Sequence, residues 1–159
     1  MGGFRSALAA AFVTLALAAG PSAAETGLVA VDVGHTLSAP GATSARGRGE
    51  FEFNRDLAGQ IASALGERGW EARMVNADGR IENLRARPQA AAGAAFLLSV
   101  HHDSVNAFEL SPWTWEGRAL DYNDTFAGHS LFVSRDNPDT AMSILCARAI
   151  GARQIGRAS

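Results

Sequence analysis

Short apolar runs alternate with stretches of helical periodicity along the chain from residue 27 onward. The apolar runs predict four strands, at Gly27–Val33, Trp70–Val75, Phe96–Val100 and His129–Ser134. Three helices are predicted: one that carries Phe53, Leu57, Ile61 and Leu65 and ends at Gly69, one in Asn83–Ala94 that Pro88 interrupts, and one at Thr140–Ala152. Strands separated by helices favour a mostly parallel sheet with helices on both faces. The aromatic segment Asn106–Ala127 is expected to be an ordered loop or insertion.

Residues 1–24 have the pattern of a secretory signal peptide. Arg5 supplies a positive charge, Ala7–Ala19 is an uncharged apolar run, and small residues precede a predicted mature start at Glu25. The alternative is an uncleaved anchor, although the run is short for a membrane span. No other stretch reaches spanning length, so residues 25–159 are expected to form one exported domain with no membrane span after signal cleavage.

Composition narrows the class of protein. The chain is 47% hydrophobic and 19% charged, which is typical of globular proteins and unlike disordered or fibrous ones. Its formal net charge of -2 and pI near 6.1 give no electrostatic support for nucleic-acid binding. The single cysteine, Cys146, excludes an intramolecular disulfide and a cysteine-based zinc cluster.

Three separated residues could hold a metal ion. His35 follows the first predicted strand, His101 follows the third, and Glu50 opens the first predicted helix. Because the carboxyl ends of parallel strands meet at one sheet edge, we expect these side chains to converge there. Two histidines and a glutamate form a known catalytic zinc site. The alternatives are hydrogen-bonded surface histidines and a glutamate that only complements the helix dipole.

The neighbouring polar residues receive different expectations. His102 should point away from His101 if the strand continues, so only one of the two should be a ligand. Asp103 could orient a ligating imidazole from the second coordination sphere, or could merely end the strand. Asn54 should share a helix face with Glu50, whereas His129 is expected to be structural.

Several motifs give the chain a resemblance to a known enzyme family. They are Val31-Asp-Val-Gly-His35, Gly47-Arg-Gly-Glu50, Leu84-x-x-Arg87-x-x-x-Ala91, Ser99-Val-His101-His-Asp-Ser104 and Gly128-His-Ser-Leu-Phe-Val-Ser134. In order and spacing they resemble the zinc-dependent N-acetylmuramoyl-L-alanine amidases of the bacterial cell wall. The resemblance runs from about Leu28 to at least Val133 and implies a three-layer α/β fold with a mixed, mostly parallel sheet.

Carried over residue by residue, this resemblance makes His35, Glu50 and His101 the ligands of Zn2+. The reaction it implies is hydrolysis of the amide between N-acetylmuramic acid and L-alanine in peptidoglycan. Zinc would activate water and polarise the carbonyl, and a general acid would protonate the leaving amine. The expected location is the periplasm or cell envelope, and the sequence identifies no activator protein.

The resemblance also implies a further strand, which carries a glutamate that acts as general base and acid. The chain as given stops at Ser159, and no glutamate follows Glu116. We therefore expect the domain to be incomplete at its C-terminus and to lack the family's last strand. Glu109 and Glu116 are the weak candidates for the missing role within this sequence. Trp113 and Trp115, in the aromatic segment, could pack on sugar or peptide or could belong to a plain surface loop.

Three functions compete on these grounds. The first is a zinc amidase acting on peptidoglycan, and the second is a remnant that binds zinc and peptidoglycan without turnover because the glutamate is missing. A zinc carboxypeptidase is the third, but such enzymes commonly place a His and a Glu ligand only a few residues apart. Fifteen residues separate His35 from Glu50, which argues against that class.

Overall fold

The computed structural model describes residues 27–126 and 128–155. The described residues divide into two compact units, one of residues 27–41 and 50–102 and one of residues 42–49 and 103–155. The first contains β1 (Leu28–Val33), α1 (Glu50–Gly66), β2 (Glu71–Val75), α2 (Ala86–Ala90) and β3 (Phe96–Val100). The second contains a 3-10 turn (Ala107–Glu109), β4 (Ser111–Trp115), β5 (Arg118–Tyr122) and α3 (Thr140–Ile155).

A parallel sheet of three strands organises the first unit. Its order is β2-β1-β3, and both neighbours run parallel to β1. The central strand is buried along almost its whole length, as expected for an apolar run covered on both faces. The predicted α/β class with a parallel sheet and helices is therefore confirmed, and the carboxyl ends of β1 and β3 lie side by side.

Alternate residues of β1 build a core on each face of the sheet. Val29, Val31 and Val33 pack with Phe51 and Ala58 of α1. On the other face, Ala30 packs with Val75 and with Ala91, which follows α2. The buried face of α1 matches the predicted stripe only in part, since Ile61 and Leu65 pack against this core whereas Leu57 is 38% exposed. The four-residue spacing indicated the helix correctly, but Phe51, Asn54 and Ala58 mark its buried side.

The second helix is much shorter than the predicted segment Asn83–Ala94. It spans only Ala86–Ala90, with Pro88 in its first turn, where a missing N–H costs least. Gly93 then takes a φ of 84°, a left-handed conformation that cannot continue a helix. Alanine-rich composition alone therefore overstated the length of this helix.

A β-hairpin replaces the loop that was predicted for the aromatic segment. β4 and β5 pair antiparallel, with Trp113 opposite Leu120 and Trp115 opposite Arg118. Glu116 and Gly117 form the turn, with φ values of 50° and 76°. Positive φ at both central residues is typical of the two-residue turns that join hairpin strands. The alternation of Trp113, Trp115 and Tyr122 with polar neighbours was the strand signal, and Pro112 is tolerated because a two-stranded ribbon has only edges.

The fourth predicted strand is wrong. Residues 129–134 adopt no regular structure, and Phe132 is 90% exposed, so their apolar side chains are not buried as in a paired strand. The final helix is confirmed as α3, where Asp139 accepts a hydrogen bond from the Met142 N–H, 2.9 Å away, at its start. Within the described residues, no helix is long and apolar enough to cross a membrane. The signal peptide predicted for residues 1–24 lies outside the described residues.

Candidate metal centre

Three side chains of the first unit converge at the carboxyl edge of its sheet. His35 is two residues beyond β1, His101 follows β3 directly, and Glu50 is the first residue of α1. Each offers one ligand atom, and the three atoms lie within 4.8 Å of one another. Chain topology alone brings them together, because both strand ends and the start of α1 share this edge.

Glu50 joins the two imidazoles. Its Oε2 lies 3.1 Å from His35 Nε2, and its Oε1 lies 3.2 Å from His101 Nδ1. The carboxylate side chain is only 6% exposed, whereas His35 and His101 are 32% and 52% exposed. The acidic group therefore forms the floor of the cluster, and the imidazoles form its solvent-facing side.

Further donors hold the Glu50 carboxylate in place. Its Oε1 accepts hydrogen bonds from the His102 backbone N–H at 3.0 Å and from Asn54 Nδ2 at 3.3 Å. Asn54 is fully buried, one helical turn along α1, and Nδ2 also donates to the Gly34 carbonyl. A buried carboxylate needs such partners, and the positive end of the α1 dipole favours its charge.

Two glycines keep space beside the cluster. A Cβ on Gly41 would lie 2.5 Å from Glu50 Oε2 and 2.8 Å from His35 Nε2. A Cβ on Gly34 would lie 2.5 Å from both His101 Nε2 and the Val100 carbonyl oxygen. The site therefore has room for donor atoms only because these positions carry no side chain. Two imidazoles and one carboxylate are the donor set of a catalytic zinc site, so the residues fit such an ion.

His102 turns away from the cluster, as the strand alternation predicts. Its Nδ1 lies 2.7 Å from Asn54 Oδ1, and its ring packs near Phe53 with centroids 5.6 Å apart. His101, by contrast, meets His35 edge to face with centroids 5.0 Å apart. The side chains of the histidine pair thus separate, that of His101 toward His35 and that of His102 toward Asn54.

His35 itself has an unusual backbone. Its φ is 68°, in the left-handed region that residues other than glycine seldom adopt. Its carbonyl oxygen accepts hydrogen bonds from Asn76 Nδ2 at 2.7 Å and from Arg87 Nη2 at 2.6 Å. Asn76 was not among the site residues predicted from the sequence, although the Asn-Ala-Asp-Gly run after β2 is a turn signal. Arg87 entered it only as part of a family motif.

The other predicted site residues belong to the second unit. Asp103 accepts a hydrogen bond from the N–H of the next residue, Ser104, at 2.9 Å. Glu109 accepts from the N–H and side-chain amide of Asn106, which caps the 3-10 turn. Glu116 lies in the hairpin turn. The roles suggested for Asp103 in orienting a ligand and for Glu109 and Glu116 in proton transfer stay predictions.

Aromatic residues form one face of the hairpin. Trp113 and Trp115 stack with ring centroids 5.5 Å apart, and Tyr122 lies 6.0 Å from Trp113. The Arg46 guanidinium sits 5.0 Å over the Trp115 ring, a cation–π contact. Among the described residues, the buried Nε1 of Trp113 has no hydrogen-bond partner. The hairpin thus carries a cluster of aromatic rings on one face.

The sheet edge and its donor set define a candidate site of the metal-dependent hydrolase type. The family model for N-acetylmuramoyl-L-alanine amidase (Amidase_3) matches residues 29–158. The chain therefore belongs to this family, whose members are hydrolases acting on the amide between N-acetylmuramic acid and L-alanine in peptidoglycan. Among proteins with curated functions, none matches the chain significantly.

Proposed function

We propose that this chain is a zinc-dependent N-acetylmuramoyl-L-alanine amidase that hydrolyses peptidoglycan. The observation that carries the proposal is the cluster of His35, Glu50 and His101, whose ligand atoms lie within 4.8 Å, in a chain of the amidase family. These three residues would hold Zn2+. When bound there, zinc would supply Lewis-acid polarisation of the scissile carbonyl and a nucleophile at neutral pH.

The protein's contribution is a preformed, charge-compensated donor set. The buried Glu50 carboxylate supplies negative charge where a cation would sit, and it keeps both imidazoles within about 3 Å of its oxygens. Asn54 and the His102 N–H fix the carboxylate, so the donors need little reordering on metal binding. The solvent exposure of His101 leaves one side of the cluster open to a substrate.

We propose that the aromatic face of the hairpin binds the glycan or stem peptide. Stacked Trp113 and Trp115 offer flat apolar surface of the kind that packs on sugar rings. Trp115→Ala should weaken sedimentation of the chain with insoluble peptidoglycan. Phe132→Ala is the control, because Phe132 is a 90% exposed aromatic outside the hairpin strands. Equal binding by both variants would contradict this assignment.

The substrate lies in the cell envelope, and we propose that the chain reaches the periplasm by its N-terminal signal. Support comes from Arg5, the apolar run Ala7–Ala19 and the small residues before Glu25. Expression of the full chain in a bacterium with two membranes tests this. A periplasmic product whose first residue is Glu25 is expected, and a full-length product in the membrane fraction would contradict it.

The enzymatic test is digestion of purified peptidoglycan by the zinc-loaded chain. Free stem peptides with an L-alanine amino terminus should appear by mass spectrometry. They should be absent with His35→Ala and present with His129→Ala, since His129 is an exposed histidine outside the cluster. Zinc binding and wall binding without any peptide release would contradict the amidase proposal and favour a binding protein. Cleavage within the stem peptide would indicate a peptidase instead.

A further inference from the structure

The carbonyl oxygen of His35 is the meeting point of two buried donors. Asn76 Nδ2 and Arg87 Nη2 approach it to 2.7 Å and 2.6 Å. Both side chains also donate to the Val33 carbonyl, at 2.7 Å and 2.9 Å. Hydrogen bonds therefore hold the backbone on both sides of Gly34, at the point where the chain leaves β1 and reaches His35.

The two donors are themselves fixed. Arg87 pairs with the buried Asp32 carboxylate at 3.3 Å, and Asp32 accepts a further hydrogen bond from Ser99 Oγ at 2.6 Å. Asn76 Oδ1 accepts from the Ile81 N–H at 2.9 Å. Arg87 and Asn76 are each about 95% buried. We call Asp32, Asn76, Arg87 and Ser99 the frame. Because their side chains hydrogen-bond to one another or to the backbone, the frame holds the two donors in place.

A left-handed φ at a residue with a Cβ persists only when its surroundings enforce it. His35 has such a φ, 68°, a conformation that histidine adopts more often than most residues with a Cβ but that is still uncommon for it. If its carbonyl were released, the backbone would relax toward the common regions and turn the Cα–Cβ bond. The imidazole would then move away from Glu50 Oε2, which now lies 3.1 Å from its Nε2.

We propose that Arg87 and Asn76 are positioning residues, which hold His35 in the left-handed conformation that aims its imidazole at Glu50 and at a bound metal. This inference rests on the proposed function, because it assumes that His35 ligates zinc. It assigns a role in metal affinity to a frame that could otherwise serve only the fold.

The test compares Arg87→Lys with Arg85→Lys in the full chain. Lysine keeps a positive charge beside Asp32 but has no planar fork, so it cannot serve both the Val33 and the His35 carbonyls in the same way. Zinc affinity is measured by competition with a coloured chelator, and the stability of the zinc-free chain is measured by thermal melting. Arg87→Lys should lower zinc affinity about 10- to 100-fold, whereas the exposed Arg85 should tolerate lysine.

Asn76→Gly is the second variant, for use where Arg87→Lys fails to fold. Asn76 has a φ of 58°, so glycine suits its backbone while the donor to His35 is lost. A similar loss of zinc affinity is expected. A lower melting temperature with unchanged zinc affinity of the folded chain would overturn the proposal, because the frame would then serve the fold alone.

A double-mutant cycle separates action through His35 from other effects. In a His35→Ala background, Arg87→Lys should have no further effect on zinc affinity, since the residue it positions is no longer a ligand. An equal loss in both backgrounds would overturn the proposal. If the unmodified chain bound no zinc, the proposed function itself would fall. If the chain bound zinc and substitution of Arg87 and Asn76 left its zinc affinity unchanged, only the positioning role would be contradicted.

Discussion

Replacing Gly41 by alanine should weaken metal binding in addition to destabilising the fold. Gly41 has a φ of 80°, and an added Cβ would lie 2.5 Å from Glu50 Oε2 and 2.8 Å from His35 Nε2. Contacts below 3.0 Å essentially never occur for a Cβ, so these atoms must retreat. The shift needed is roughly 0.5–1 Å if normal contact distances are restored.

The atoms that must move are side-chain ends, which the fold can displace at small cost. They are also the proposed zinc ligands, so the displacement should appear as lost affinity. A misplacement of this size should cost about 10- to 100-fold in zinc affinity, or about 1.4–2.8 kcal/mol. The left-handed backbone adds about 1–2 kcal/mol of destabilisation for any residue with a Cβ.

Gly93→Ala is the matched control, because Gly93 has a nearly identical φ of 84° and nothing within 4 Å of its added Cβ. The assay is chemical unfolding of the zinc-free chains, followed by chelator competition for zinc. Both variants should lose similar stability, and only Gly41→Ala should lose zinc affinity. Equal zinc affinity in the two variants would refute the argument that Gly41 makes room for the ligands.

The structure supports three further expectations. Gly34→Ala should lose both stability and zinc affinity, because its Cβ would lie 2.5 Å from the Val100 carbonyl oxygen and from the His101 ring. Chemical unfolding and chelator competition measure the two losses, and unchanged stability would contradict this expectation. Phe51→Ala should cost about 3–5 kcal/mol in urea unfolding, well above Leu57→Ala, since Phe51 is 2% exposed and Leu57 38%; equal costs would contradict the assigned core. Chelation of zinc held at 100-fold over its Kd should lower the free energy of unfolding by about 2.7 kcal/mol, and no change in the melting curve would show that zinc does not bind the folded chain.

The convergence of His35, Glu50 and His101 could be predicted from the sequence because topology, rather than fine packing, creates it. A strand that ends before His35, a strand that ends before His101 and a helix that starts at Glu50 suffice to bring three side chains to one edge. The period of apolar residues fixed those elements to within a few residues. The topology predicts only a possible metal site, and the family resemblance adds the prediction that this site belongs to a cell-wall amidase.

The frame around the His35 carbonyl could not be predicted in the same way. Its contacts join residues far apart in the chain, such as Asn76 and Arg87 with His35, and depend on side-chain reach and on a left-handed φ. The spacing of apolar residues along the chain indicates neither the reach of a side chain nor a left-handed φ. Arg87 in a short alanine-rich helix is expected to be solvated, and only the fold reveals its burial against Asp32.

The two errors in strand prediction have different causes. An apolar run around Phe132 indicates strand propensity, but a strand also needs a partner, and residues 129–134 have none. The segment around Trp113 was rich in aromatic and polar residues and contained a proline, which obscured its period of two. There the partner strand was adjacent in sequence, so local pairing decided the structure.

The most direct test of a catalytic zinc site at Glu50 compares two variants, Glu50→Gln and Glu52→Gln. The two substituted residues lie two positions apart in α1. Glu50 is buried between the imidazoles, whereas Glu52 is exposed. Zinc per chain and stem peptide released from peptidoglycan are determined on the same samples. Glu50→Gln is expected to lose both zinc and peptide release, and Glu52→Gln is expected to keep both. Peptide release by Glu50→Gln chains that carry no zinc would contradict a catalytic zinc site at Glu50.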